Sequence, residues 1–580
     1  MVSGAGEEVG VAPAATGPDG QEGVRPWPAA LFPTAPPSSC PVAVRTAGYA
    51  GGLGTIVVLA LLRQPGVAAT KTLWAEDGVI FYAQALSKSV LGSLMTAYNG
   101  YDQLVPRLAV QVARAAPVPD AAATIAVVGA LGLAALGCLV FHMARGHIPS
   151  AALRALLVAA MVLLPVANFE MLDNLVNLPW WLFFAAFWAL LWRPRGVGGA
   201  AVAALLCGLA AASEPLVALL LPLAAVRVVV LRRPRELAAV AGLAAGLVFQ
   251  SVVVLRTTSG HSYPATGLSH VPADFAVRVG LGWLTGRRGT AALLSWDRPV
   301  TDVLGLVVLA GVLAAALKLG SRRVRALTVA AGALAPLCFA IPVWLRGAAP
   351  LMSAGTSDFT IGFAGRYAAT PILMVLSVVL ALVGHLSAGR STSRPRPPHA
   401  VYRPLWAATA VCALLLPAWV ADFRDRNARM DGPTWQSQLG AADAQCRRWN
   451  SDGLARVAVS PLGDSFVLHC RVLGLAATEL DRRPALGGAE RPRTLADRPP
   501  AVSCGAPPAP WPPGPSGSQR PVVQRPVGHA PVMMQPPPIL LAASSSGSVR
   551  PSSSQLNSAA PLAISAMYTT ACASSIRPTK

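Results

Sequence analysis

The chain is 580 residues long, 54% hydrophobic and 13% charged, with a formal net charge of +21. A mean hydropathy of +0.52 excludes an ordinary soluble globular domain. The positive excess lies in short loops and terminal tails without interleaved surface aromatics, which argues against a nucleic-acid partner. What remains is an all-α polytopic membrane protein in contact with membrane lipids.

Residues 1–42 are rich in Pro, Gly and Ala and read as a disordered tail. They hold no compact apolar core before a cleavage site, so the first span is expected to remain as an anchor. Apolar runs long enough to cross a bilayer as helices follow at 44–62, 121–144, 151–167, 178–192, 197–212, 215–231, 238–255, 303–319, 324–345, 367–388 and 405–421. That predicts about eleven spans within a membrane domain of residues 43–421, the fifth and sixth of them short.

Between the first two spans, residues 64–120 form a long loop with amphipathic stretches at 79–94 and 104–116, expected to lie along the membrane surface. It opens with Leu73-Trp74-Ala75-Glu76-Asp77-Gly78-Val79-Ile80-Phe81-Tyr82. A carboxylate at a lipid–water boundary is poorly solvated, so its pKa rises and it can take a proton from a hydroxyl. The alternative reading of Glu76 and Asp77 is that they cap the helix that follows.

Basic residues mark alternate loops: Arg145; Arg193 and Arg195; Arg232, Arg233 and Arg235; Lys318, Arg322, Arg323 and Arg325; Arg390, Arg394, Arg396 and Arg403. Lys and Arg in short loops stay cytoplasmic, which predicts a plasma-membrane protein with its N-terminus inside and its C-terminus outside. The intervening short loops carry Glu170 and Asp173, or Glu214. Glu214 is ordinary loop polarity if it lies at an outer turn, and a functional suspect if its two flanking spans form one bent element. A second long outer segment, 256–300, reads as interfacial helix plus loop, and its His261 and His270 lack metal-ligand spacing.

After the last span, residues 422–472 read as a small soluble module with strand-like stretches at 454–459 and 465–468, packed onto the outer loops. Cys446 and Cys470 lie there, on the side where disulfides persist, and are predicted to pair. Cys138, Cys207, Cys338 and Cys412 fall in spans and carry no metal-ligand spacing. From about 473 to 580 the composition turns to Pro, Ser, Arg and Ala without periodicity, as in a disordered tail or a stretch translated in a shifted frame.

The acidic pair after the first span, followed by Tyr98-Asn99-Gly100-Tyr101-Asp102-Gln103-Leu104-Val105-Pro106-Arg107, resembles the large polytopic glycosyltransferases of the GT-C superfamily. The loop Asn168-Phe169-Glu170-Met171-Leu172-Asp173-Asn174-Leu175-Val176-Asn177 before Trp180-Trp181 is similar to a polar loop of uncharacterised actinobacterial members. The likeness covers roughly residues 44–470. It implies a polyprenyl-phosphate sugar donor, a glycan, lipid or protein acceptor of the cell envelope, and an inverting transfer with Asp77 as base and Glu76 as the alternative. It implies no cofactor, although other members of the superfamily use a divalent metal held by such carboxylates.

A leaving lipid phosphate calls for cationic groups, and bidentate Arg suits it. Arg366, beside Tyr367 at the mouth of the tenth span, ranks first, with Arg107 and Arg346 behind; interfacial snorkelling is the competing explanation. Asn168, Glu170, Asp173, Asn174 and Asn177 suit sugar hydroxyls, and Trp180 and Trp181 either stack on a pyranose or belong to an aromatic belt. Two other functions compete: a transporter or flippase for a lipid-linked glycan, and a non-catalytic scaffold for envelope assembly.

Overall fold

The computed structural model describes residues 27–35, 41–257, 268–345, 365–388, 403–449, 453–461 and 463–474. The tail expected beyond 473, most of the tail expected over 1–42, and the expectations for His261, Arg346, Arg390, Arg394 and Arg396 fall outside or largely outside these residues.

Among the described residues the fold is overwhelmingly helical, and eight helices there are long and apolar enough to cross a membrane. In chain order the helices are α1 (Val42–Leu62), α2 (Ala83–Ser87), α3 (Val90–Leu94), α4 (Leu104–Ala115), α5 (Ala121–Met143), α6 (Ala151–Leu163), α7 (Leu178–Leu191), α8 (Val197–Ser213), α9 (Leu221–Val230), α10 (Pro234–Arg256), α11 (Val271–Phe275), α12 (Gly282–Trp296), α13 (Arg298–Leu319), α14 (Arg322–Leu345), α15 (Gly365–Ala388), α16 (Arg403–Ala421) and α17 (Trp435–Trp449). Each of the eleven apolar runs of the sequence is helical, but α7, α8 and the stretch Pro215–Val230 are shorter than the other eight, among which α6 counts with its continuation to Asn168.

The shortness of α7 follows from its place. At 1.5 Å per residue, its 14 residues reach only about 21 Å, less than the roughly 30 Å of a hydrocarbon core. Every residue from Leu178 to Leu191 is buried in protein, so the helix is apolar on all faces because neighbours surround it, as a core helix requires.

Glycines set the closest crossing. A Cβ on Gly242 would collide with the Ala204 backbone, and one on Gly246 with Gly208. These small residues let α8 and α10 approach backbone to backbone, in a register where both chains advance in the same direction. Two parallel neighbours require the stretch Pro215–Val230 between them to run back. Glu214 therefore sits at a turn: it is buried, and its carboxylate accepts the Leu216 N–H at 3.3 Å. The bent single element is excluded.

The helices define two ends. At one, termed the site end, the loops after α1, α6 and α16 meet beside Arg287 and Arg288 of α12. At the other, the basic end, lie Arg145, Arg193, Arg195, Arg232, Arg233, Arg235 and the α13–α14 turn. Residues 27–35, expected within a disordered tail, are instead ordered at the basic end. Leu31 and Phe32 are buried there, the Arg227 guanidinium lies 5.5 Å over the Phe32 ring, and the His147 ring meets the Leu31 carbonyl at 3.0 Å. An apolar pair within a Pro-rich stretch is thus buried against the bundle, with His147, Arg195 and Arg227 contacting the same stretch.

The module after α16 is a helix, α17, and an antiparallel hairpin of β1 (Leu454–Ala458) and β2 (Ser465–His469), paired Leu454 to His469 and Ala458 to Ser465. Ala455, Val457, Phe466 and Leu468 point inward, in the period-two pattern of a half-buried sheet. A Cys446–Cys470 disulfide ties α17 to the hairpin.

Candidate functional site

The acidic pair sits where the terminal module clasps the first long loop. Trp74 bridges to Ser460, and the Ser460 N–H donates to the Leu73 carbonyl at 2.8 Å. Trp435 stacks on Phe466, their ring centres 6.4 Å apart, meets Tyr82 edge-on, and donates its Nε1–H to the Val118 carbonyl at 2.8 Å. At Gly78 a Cβ would stand 2.9 Å from the Val459 side chain, so the approach of the module needs glycine there.

The chain from Asp77 to Tyr82 is a widened, π-type helical turn leading into α2. Neither acid caps it: Glu76 makes no capping bond, and Asp77 is turned onto the neighbouring loop. Its Oδ2 accepts the Leu175 N–H at 2.8 Å and its Oδ1 the Val176 N–H at 2.9 Å. Asp77 is wholly buried, and that desolvation lifts its pKa from 3.8 to about 7, against the pull of the two N–H groups and of Arg429 and with a further push from Glu76.

Glu76 is half-buried. Its Oε2 is shut off from solvent and meets no hydrogen-bond donor among the described residues. Its charge reaches Asp77, Glu170 and Asp464 alike, which places it at the centre of the acidic groups.

The loop between α6 and α7 is shaped by its own amides. Asn174 Nδ2 donates to the Glu170 carbonyl at 2.5 Å and the Leu172 carbonyl at 3.0 Å. Asn177 Nδ2 donates to the Glu170 carbonyl at 2.7 Å and to Asn174 Oδ1 at 3.1 Å. Asp173 takes a positive φ of 56°, a conformation Asp tolerates better than most residues. The loop lies so close to α5 that a Cβ on Gly129 would sit 2.9 Å from the Asn174 backbone. The side-chain amides of Asn174 and Asn177 are thus engaged in shaping the loop, and Asn174 also stands on the wall of a narrow cleft with Arg429.

Trp180 and Trp181 are also withdrawn from the roles expected of them. Both are buried: Trp180 packs edge-on against Tyr367 at 5.4 Å, and Trp181 donates to the Met171 carbonyl at 3.4 Å. Neither presents a face to a sugar or to lipid.

Cations close the site from α15 and from the segment after α16. Arg366 faces Glu170, with its N–H 3.4 Å from Oε1 and its Nη1 3.3 Å from Oε2, and covers the Tyr367 ring at 5.3 Å. A Cβ on Gly365 would strike the Val166 carbonyl, so glycine brings this pair together. Burial raises the Glu170 pKa and the Arg366 charge opposes the rise, with Arg278 a weaker opponent. Arg429 donates to the Asp173 carbonyl at 3.0 Å and lies 5.4 Å over the Trp74 ring. Asp173 is likewise pushed up, to about 6, by burial against the charges of Arg429 and Arg63.

Asn168 Nδ2 donates to the Asp425 carbonyl at 3.0 Å, and Asn427 Nδ2 donates to the Asn168 carbonyl at 3.1 Å and to Gln64 Oε1 at 3.0 Å. Asp425 meets Arg288 at 3.0 Å and Arg287 at 3.8 Å. Gln64, Trp74, Asn168, Glu170, Asp173 and Arg429 line a narrow cleft. About 10 Å³ of it is open to the centre of a water molecule, room for a single water.

Arg107 is not part of this cluster. It is buried in the interfacial layer, in an ion pair with Asp102 at 3.2 Å and in hydrogen bonds to Gln84 Oε1 at 2.8 Å and the Ser93 carbonyl at 2.9 Å. An acid five residues back along the chain claims it before any phosphate could.

Glu76, Asp77, Asn168, Glu170, Asp173 and Arg366 therefore converge. Arg429, Gln64, Asn427 and Asp425 join them without having been singled out in the sequence, although the charged run Asp422-Phe423-Arg424-Asp425-Arg426-Asn427-Ala428-Arg429 directly after a span was a visible signal. Among the described residues, no group of three or more His, Cys, Asp and Glu side chains is arranged to hold a metal ion. The chain matches no protein-family model, no curated protein and no solved structure.

Proposed function

We propose that this multi-pass membrane protein is a glycosyltransferase, moving a sugar from a polyprenyl-phosphate donor to a hydroxyl of a cell-envelope glycan, lipid or protein. The site end then faces outward and the basic loops face the cytoplasm, as the positive-inside rule directs. The observation that carries this reading is the solvent-shielded Glu76 Oε2, which meets no donor among the described residues and whose charge acts on Glu170, the ion-pair partner of Arg366 and a wall of the Arg429-lined cleft. A buried acceptor left without a donor is costly, and an acceptor hydroxyl would satisfy it.

Glu76 rather than Asp77 is the base on this geometry, because both Asp77 oxygens already hold the Leu175 and Val176 N–H groups. Asp77 instead fixes the polar loop against the acidic segment. Glu76 takes the proton of the acceptor hydroxyl, the freed oxygen forms the new bond to the anomeric carbon, and the bond from that carbon to the phosphate oxygen breaks. The electron pair leaves with the lipid phosphate, whose charge Arg366 and Arg429 oppose. A pyranose is larger than the space now open, so donor binding includes a widening of the cleft.

The test is transfer by the full chain reconstituted in liposomes, with labelled polyprenyl-phosphate hexoses and pentoses and an envelope extract as acceptor. Glu76→Gln should lower release of polyprenyl phosphate about 10²–10⁴-fold at unchanged Tm. Wild-type turnover in that variant would defeat the assignment. Movement of the donor across the bilayer with no polyprenyl phosphate released would favour the flippase.

A further inference from the structure

The basic end holds a second and larger cleft, with about 130 Å³ open to the centre of a water molecule. Its walls are Arg193, Arg195, Arg233, Arg235 and Glu236, with the backbone at 34–35. Arg193 is neutralised by Glu236, its Nη2 2.6 Å and its Nε 3.0 Å from Oε1. Four guanidinium groups against one carboxylate leave a charge of +3 around one hollow.

This hollow is built rather than incidental. Beneath it Arg227 is wholly buried and donates to the Glu236 carbonyl, to the Trp192 carbonyl at 2.7 Å and to the Leu190 carbonyl, tying the end of α7 to the first turn of α10. Arg235 donates to the Arg195 carbonyl at 3.3 Å, and Arg195 to the Ala35 carbonyl. The α8 and α10 N-termini open beside the hollow, and neither has a side-chain cap, so their partial positive charge adds to it.

The retention of basic loops on one side of a membrane explains their sign but not their convergence. Like charges gathered around a concavity repel one another unless an anion fills it. We infer that this cleft binds the phosphate of an anionic phospholipid headgroup in the leaflet at the basic end. Apolar side chains for the acyl chains stand next to it in sequence: Val197 and Val229 are both exposed, two residues from Arg195 and four from Arg233. A free phosphate anion shares the headgroup chemistry but has no use for that apolar approach.

The test uses the full chain in neutral detergent, titrated with short-chain phosphatidylglycerol, short-chain phosphatidylcholine or inorganic phosphate, with the shift in Tm as readout. Phosphatidylglycerol should raise Tm saturably at concentrations where phosphatidylcholine does not. The triple variant Arg195→Gln, Arg233→Gln, Arg235→Gln should need roughly 100-fold more lipid for the same shift, at about a factor of five per arginine near a charged surface. A charge-matched control, Lys318→Gln, Arg322→Gln, Arg325→Gln, should respond as the wild type does. Equal responses from both triple variants, or equal effects of the two lipids, would overturn the site. A response to inorganic phosphate without one to phosphatidylglycerol would overturn the lipid assignment.

Discussion

At the site end, Asp77, Glu170, Arg63, Arg287 and Arg429 are all buried and their side chains are bonded to backbone or to a neighbouring charge, whereas at the basic end Arg195, Arg232, Arg233, Arg235, Arg322 and Arg325 stand exposed. The same residue types do different work in the two places. Buried charges must be matched by specific partners, so at the site end they dictate the path of every loop. Exposed arginines are solvated whatever the loops do, and the path of the chain at this end is held instead by the buried Arg227 and by helix packing.

The contrast is sharpest at Arg63 and would break there first. Its side chain donates to the Phe423 carbonyl at 3.2 Å, the Leu164 carbonyl at 3.2 Å, the Asp422 carbonyl at 3.3 Å and the Val162 carbonyl. It thereby gathers the C-terminal ends of α6 and α16 at the end of α1, where a cation also opposes the helix dipoles. Arg63→Met should leave those carbonyls unsatisfied and cost about 3–5 kcal/mol, read as a large fall in Tm or a failure to accumulate folded protein. A Tm close to that of the wild type would show that the buried guanidinium is not what joins these helices.

A smaller effect is expected from pH. Burial raises Asp77 to about 7 and Asp102, Asp173 and Asp464 to about 6, from 3.8. Each binds its proton more readily folded than unfolded, so its contribution to stability is complete below about pH 3.8 and is lost as pH rises through 6 to 7. Tm should therefore decline between pH 4 and 7, and Asp77→Asn should remove the part of the decline nearest pH 7. A Tm that rises over that interval would contradict the burial of these acids.

The smallest effect belongs to the basic end. Arg195→Gln removes an exposed side chain bonded, among the described residues, only to the Ala35 carbonyl and should cost less than about 1 kcal/mol by thermal unfolding, far less than Arg63→Met. Similar costs at both sites would erase the distinction between the two ends.

Much of the architecture was legible in the chain, because lipid admits only segments that satisfy their own backbone. The eleven apolar runs, the alternation of basic loops, the two short strands and the Cys446–Cys470 pair could be read from it. The polar residues were harder. That Glu76, Asp77, the Asn168 loop and Arg366 belong together was readable from their shared side of the bundle. That Arg107 is claimed by Asp102, that Asn174 and Asn177 hold their own loop, and that Trp180 and Trp181 are buried was not readable.

The sequence by itself determined which segments are apolar helices and on which end each loop emerges, since composition and period act locally along the chain. Only the tertiary structure decided which carboxylate is held by backbone and which keeps an oxygen without a donor, and which arginines share a cleft. Those outcomes depend on partners 98 and 99 residues apart for Asp77, 196 for Arg366 and 43 for Arg193. Hydrogen bonds and desolvation act across space, and nothing in local spacing encodes distances of that kind.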